Sequence, residues 1–125
     1  MTSQQNQSSN IPSIDPSAIA RLKKMGSDVL VVKMIDLFLE NIPQKIDIMK
    51  RAIQDNDFQS LEMAAHSLKS SAGNIGAKKL QKTANDIESL AHKKESKLLG
   101  KFIDSIITES SEVLDTLKKK KSEYL

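Results

Sequence analysis

The sequence predicts an all-α fold, an up-down-up-down antiparallel four-helix bundle with a short extra N-terminal helix. Three observations carry this. Apolar residues recur at three- and four-residue steps through most of the 125-residue chain, as one buried stripe per helix requires. Turn and cap residues interrupt that pattern at short intervals, and short connections make successive helices antiparallel neighbours. Aromatic residues make up only 3% of the chain, too few for a β-sandwich core, whereas Leu, Ile, Lys, Ala and Ser suit helices.

Residues 1–13 are rich in Ser, Gln and Asn and read as a flexible N-terminal tail, leaving 14–125 as a single domain. Asp15 followed by Pro16 reads as an N-cap and first-turn proline, opening a short helix with Ile19, Leu22 and Met25 on its apolar side and Gly26 at its end. Ser27 or Asp28 then caps a long helix whose stripe is Val31, Ile35, Phe38, Ile42, Ile46, Met49 and Ile53. Pro43 is expected to kink or break it, because proline removes an amide donor and crowds the preceding turn. A second stripe, Leu30, Met34 and Leu37, ends before Pro43 and marks where the short helix packs.

Asn56 or Asp57 caps the next helix, which carries Leu61, Ala65, Leu68, Ala72 and Ile75, and Gly76 can end it through the positive backbone angle glycine tolerates. Leu80, Ala84, Ile87 and Ala91 define another helix. The last holds Leu99, Phe102, Ile103, Ile106, Val113, Leu114 and Leu117, with Gly100 weakening its start.

Composition excludes several function classes. Without cysteine there are no disulfides and no thiolate metal sites, which is compatible with a reducing cytoplasm, the expected location. No apolar run reaches the twenty or so residues that cross a bilayer, and MTSQQNQSSN has neither the basic start nor the apolar core of a signal peptide. The formal net charge of +3 comes from scattered lysines with almost no aromatic residues between them, so they read as solvated faces and not as a nucleic-acid surface.

The stretch HSLKSSAGNIGA, from His66 to Ala77, is the most informative. At about 100° per residue, His66 lies about 140° from the middle of its helix's apolar stripe, with Lys69 near 80° and Gly73 near 120°. The histidine therefore faces water, and a neutral imidazole with a reference pKa of about 6.5 is a usable nucleophile near pH 7.

Here the sequence resembles the histidine-containing phosphotransfer (HPt) domain family. The pattern is a His, any residue, an apolar residue, Lys, then small residues and a closing Gly, filled by His66, Leu68, Lys69, Gly73 and Gly76. Ser70 departs from it, standing where many members carry glycine, yet it is still small. Upstream, DLFLENIPQKIDIMKRAIQDNDFQSLEMAAH looks like the family's second helix and the turn into the histidine helix. The resemblance runs from about Ile14 to His92.

The resemblance implies a phosphorelay intermediate in two-component signalling, a monomer phosphorylated on His66 Nε2. Its partners would be response-regulator receiver domains, including that of a hybrid sensor kinase, which supply the phospho-accepting aspartate and Mg²⁺. It also implies that Glu88 hydrogen-bonds the other ring nitrogen. Lys69, one turn along, can offset the charge of the transferred group, and Ser70 and Gly73 leave a flat patch for the partner's approach. With glycines only at 26, 73, 76 and 100 the chain has no phosphate-cradling loop for ATP, so it is expected to be a carrier without cofactor, not a kinase.

Two other readings compete. Glu62 and His66, and Glu88 and His92, are each four apart, and the rival reading has them converge in an antiparallel pair as a Zn²⁺ site of two carboxylates and two imidazoles. Against this, His66 faces outward. A purely structural helical adaptor explains the bundle but not the residues gathered around His66.

Overall fold

The computed structural model describes residues 12–124, so the proposed tail lies almost wholly outside the described residues. Among the described residues there is no strand, and four helical elements follow one another: α1 (Pro16–Gln54), α2 (Phe58–Asn74), α3 (Lys78–His92) and α4 (Leu99–Glu123). Each helix packs on its two neighbours in a closed ring, α1 on α2, α2 on α3, α3 on α4 and α4 back on α1. This is the antiparallel bundle that the short connections demand.

α1 is two helices joined across a kink, which gives the bundle its extra N-terminal arm, 16–25. Asp15 caps the arm, its carboxylate accepting from the Ser17 amide at 3.0 Å and the Ser17 hydroxyl at 2.9 Å. Ser17 holds the Asp15 carboxyl below its ordinary pKa, helped by Lys78 at 3.4 Å. The arm ends at Gly26 as expected, and the left-handed position falls on the next residue, Ser27, at φ 72°. Gly26 is needed because a Cβ there would meet Leu30 Cδ2 at 2.6 Å. The arm buries Ala18 and Ile19, but Met25, expected on its apolar side, is 77% exposed. The second stripe is likewise only partly covered: Met34 packs against the core while Leu37 is exposed. Ser13, assigned to the tail on sequence, hydrogen-bonds Thr116 of α4.

Pro43 does not break α1. The helical backbone runs through it, with non-helical angles only at Gly26 and Ser27. Its ring is exposed, so the carbonyl deprived of an amide partner is on the side where water can replace it. Below it the main stripe is buried as expected from Val31 to Met49, with Ile53 half-buried.

Three helices end in one motif. After α1, α2 and α3 the left-handed position is taken by Asn56, Gly76 and Lys94, at φ 52°, 72° and 58°. In each case the next amide reaches back five residues: Asp57 to Ala52 at 2.8 Å, Ala77 to Ala72 at 2.8 Å, and Glu95 to Leu90 at 2.9 Å. These are Schellman closures, which satisfy carbonyls the helix leaves open. Asn56 is thus the stop of α1, and Asp57 alone caps α2 by accepting from the Ser60 amide at 3.0 Å. Gly76 also receives the arm: its carbonyl takes the Asp15 amide at 2.8 Å, and a Cβ there would lie 2.9 Å from Ala18 Cβ.

Candidate functional site

The seam between α2 and α3 carries a ladder of polar contacts. Because the helices are antiparallel, the start of α2 faces the end of α3. Glu62 meets His92, with Oε2 3.0 Å from Nδ1. One turn along, His66 meets Glu88, with Nδ1 2.7 Å from Oε2. Lys69 then donates to the other Glu88 oxygen at 2.6 Å and to Asn85 at 3.5 Å. Finally Gln81 lies over Gly73, where a Cβ would meet its Nε2 at 2.7 Å.

The ladder separates the residues singled out by sequence. His66 is solvent-facing, its side chain 61% exposed, whereas Glu88 is 20% and Lys69 28% exposed. Lys69 is therefore not a free surface cation but half-buried and committed to Glu88. The Glu88 carboxyl is held below its ordinary pKa, mainly by the Lys69 hydrogen bond and also by His66, against the opposing effect of burial. An ionised carboxylate can only accept, so Nδ1 of His66 must carry the proton and Nε2 the free lone pair. Ser70 is exposed one turn beyond His66. Gly73 sits in the last turn of α2 rather than in mid-helix, and the patch it opens is overlaid by the exposed Gln81 side chain.

The four residues of the zinc reading do not converge. They pair crosswise, Glu62 with His92 and Glu88 with His66, and among the described residues no group of three or more His, Cys, Asp or Glu could hold a metal ion. Nothing in the sequence reading pointed to Gln81 or Asn85. Their signal is the spacing 81, 85, 88, 92, four, three and four residues apart on one face of α3.

The outward face of α2 has a further property. Its exposed residues, Gln59, Met63, His66, Ser70 and Asn74, include no carboxylate or lysine. The helix's two such residues, Glu62 and Lys69, are both tied across the seam. A face depleted of charge and bearing an exposed Met has the composition of a protein-binding core.

Comparison with known proteins places the bundle in a family. The family model described as "Hpt domain" matches residues 33–120. The structure superposes on histidine-containing phosphotransfer protein B (HptB) from Pseudomonas aeruginosa PAO1 with a TM-score of 0.87 at 25% identity, covering 93% of this chain and 100% of that one. It also matches the HPT domain of the Hpt sensor hybrid histidine kinase from Shewanella with a TM-score of 0.76 at 18% identity, covering 89% of this chain and 95% of that one, a likeness of fold. No curated protein matches the sequence. The family model and the match of the whole bundle define the class, a phosphotransfer module. The chain belongs to the Hpt domain family and has a phosphotransfer role in two-component phosphorelay. No helix among the described residues is long and apolar enough to cross a membrane.

Proposed function

We propose that His66 Nε2 takes a phosphoryl group from the aspartyl phosphate of a response-regulator receiver domain and passes it to the aspartate of another. The observation that carries this is the His66 Nδ1 to Glu88 Oε2 contact at 2.7 Å on a ring otherwise open to solvent. It leaves one nitrogen, on the exposed side, with a lone pair to attack phosphorus. In the in-line transfer the bond from phosphorus to the aspartyl oxygen breaks as the bond to Nε2 forms. The Nδ1 proton stays in place, and Glu88 offsets the positive charge that develops on the ring. Lys69 sits beside the same carboxylate and limits the negative charge met by the incoming group. Mg²⁺ belongs to the receiver, and the ATP-using step to a separate kinase. The uncharged α2 face around His66 is the surface the receiver covers.

The test is transfer from a phosphorylated receiver to wild type, His66→Gln and His92→Gln, followed as acid-labile, base-stable label. Label should persist in His92→Gln and vanish in His66→Gln. Full labelling of His66→Gln would sink the assignment.

A further inference from the structure

We propose that His92 is a second phosphoryl-accepting imidazole, served by small donors of the phosphoramidate class. The proposal rests on the same carboxylate-held imidazole chemistry as at His66, and its ground is the crossed pairing at the seam. α2 carries Glu62 four residues before His66, α3 carries Glu88 four residues before His92, and in antiparallel helices each carboxylate meets the other helix's imidazole. The relation that orients His66 is therefore repeated at His92, with Glu62 Oε2 at 3.0 Å from Nδ1. An accepting carboxylate again fixes the proton on Nδ1 and leaves the lone pair on Nε2. The His92 side chain is 76% exposed, more open than His66 at 61%.

The two sites differ in their surroundings. Glu88 is bridged to Lys69, whereas among the described residues Glu62 has no lysine partner. His92 is the last residue of α3, followed by the exposed Lys93 and Lys94. Ser70 and Gly73, the small residues that open the surface for a docking domain, lie on the far side of His66 from it along α2. His92 thus has the nucleophile without the macromolecular docking patch, which is why its donor is small. With phosphoramidate, Nε2 attacks phosphorus, the donor's P–N bond breaks and ammonia leaves. The Nε2–P bond forms, and the proton stays on Nδ1, donated to Glu62, so that the ring's positive charge faces that carboxylate.

The experiment treats the full chain with potassium phosphoramidate and counts phosphohistidine by ³¹P NMR in wild type, His66→Gln, His66→Gln/His92→Gln and His66→Gln/Glu62→Gln, with circular dichroism as the fold control. His66→Gln should still be phosphorylated, now on His92 Nε2, about fivefold more slowly than wild type because, among the described residues, no lysine is paired to Glu62 as Lys69 is to Glu88. The double histidine variant should be unlabelled. Adding Glu62→Gln should slow uptake several-fold further without changing helical content. No uptake by His66→Gln, with wild type labelled, overturns the second acceptor and leaves the His66 reading standing. Equal label in the single and double histidine variants also overturns it. Conversely, a wild type that receivers cannot label, beside a His66→Gln form labelled by phosphoramidate and silent once His92 is replaced, supports the second acceptor and removes the receiver reading.

Discussion

Glu88 holds His66 through one carboxylate oxygen, 2.7 Å from Nδ1, and Lys69 through the other, at 2.6 Å. One side chain therefore sets both the proton position on the His66 ring and the place of the nearest cation. Neither partner can be altered without disturbing the other.

Lys69→Ala should slow transfer about fivefold, the worth of roughly 1 kcal/mol from a screened charge near the phosphoryl group. Because Lys69 is half-buried against Glu88, stability should fall too, by about 0.5–1 kcal/mol. The Lys69→Ala/Glu88→Gln double variant should lose less than the sum of the singles, since both break one contact. Transfer rates and thermal midpoints of the four forms check this; strict additivity would mean the residues act separately.

Gly73 separates packing from access. The atom that a Cβ would crowd is the far end of the exposed Gln81 side chain, which can swing aside. Gly73→Ala should therefore leave stability within about 0.5 kcal/mol of wild type, since the helix gain expected at a mid-helix glycine is reduced in a last turn. Gly73→Glu should stay folded and lose receiver transfer, through bulk and like charge together. A folded Glu form that transfers at the wild-type rate would remove Gly73 from the docking surface.

The left-handed helix stops make an opposed pair. Gly76→Ala should destabilise by about 2–4 kcal/mol, combining the cost of a Cβ at φ 72° with the clash against Asp15 and Ala18. Lys94 holds the same conformation with a full side chain, so Lys94→Gly should stabilise by about 1 kcal/mol. Denaturant midpoints at unchanged m-value decide both.

Two carboxylates should respond to pH with opposite sign. Glu88 has a lowered pKa, so the stability it contributes is present above the ordinary value of 4.5 and is lost as pH falls through its folded value below that. Glu109 of α4 is pushed up by burial despite a hydrogen bond from Thr83, and its Oε1 is buried without a hydrogen-bond partner. Its cost is absent below 4.5 and complete above its raised folded value. Glu109→Gln should thus raise the thermal midpoint at pH 7, with the gain shrinking as pH falls toward 4.5. A gain equal at pH 7 and pH 4 would assign it to packing instead.

Much of this was legible in the sequence because helical periodicity reports burial directly: the stripes through Ile35, Leu68, Ile87 and Leu117 are the core. The same angular arithmetic places His66 outside and Lys69 at the shoulder. It failed where neighbours decide. Pro43 is harmless because its position on the ring of helices faces water, which no local rule reveals. The stops at Asn56 and Lys94 needed the chain's path, and Gly26 needed the position of Leu30. The choice between four converging ligands and two crossed pairs turned on a register of a few ångströms between α2 and α3.

The entire ladder, from Glu62–His92 to Gly73–Gln81, lies in one helical hairpin closed by residues 75–77. Its side-chain pairs lie 16 to 30 residues apart, against 103 for Ser13 and Thr116, so joining them closes a shorter loop at a smaller entropy cost. The contacts around His66 can thus form early in folding, while the docking of the arm at Gly76 and the pairing of Ser13 with Thr116 wait for distant chain. Local opening of α1 or α4 would then leave the histidine seam intact. In hydrogen exchange, the amides of α2 and α3 would be the last to lose protection.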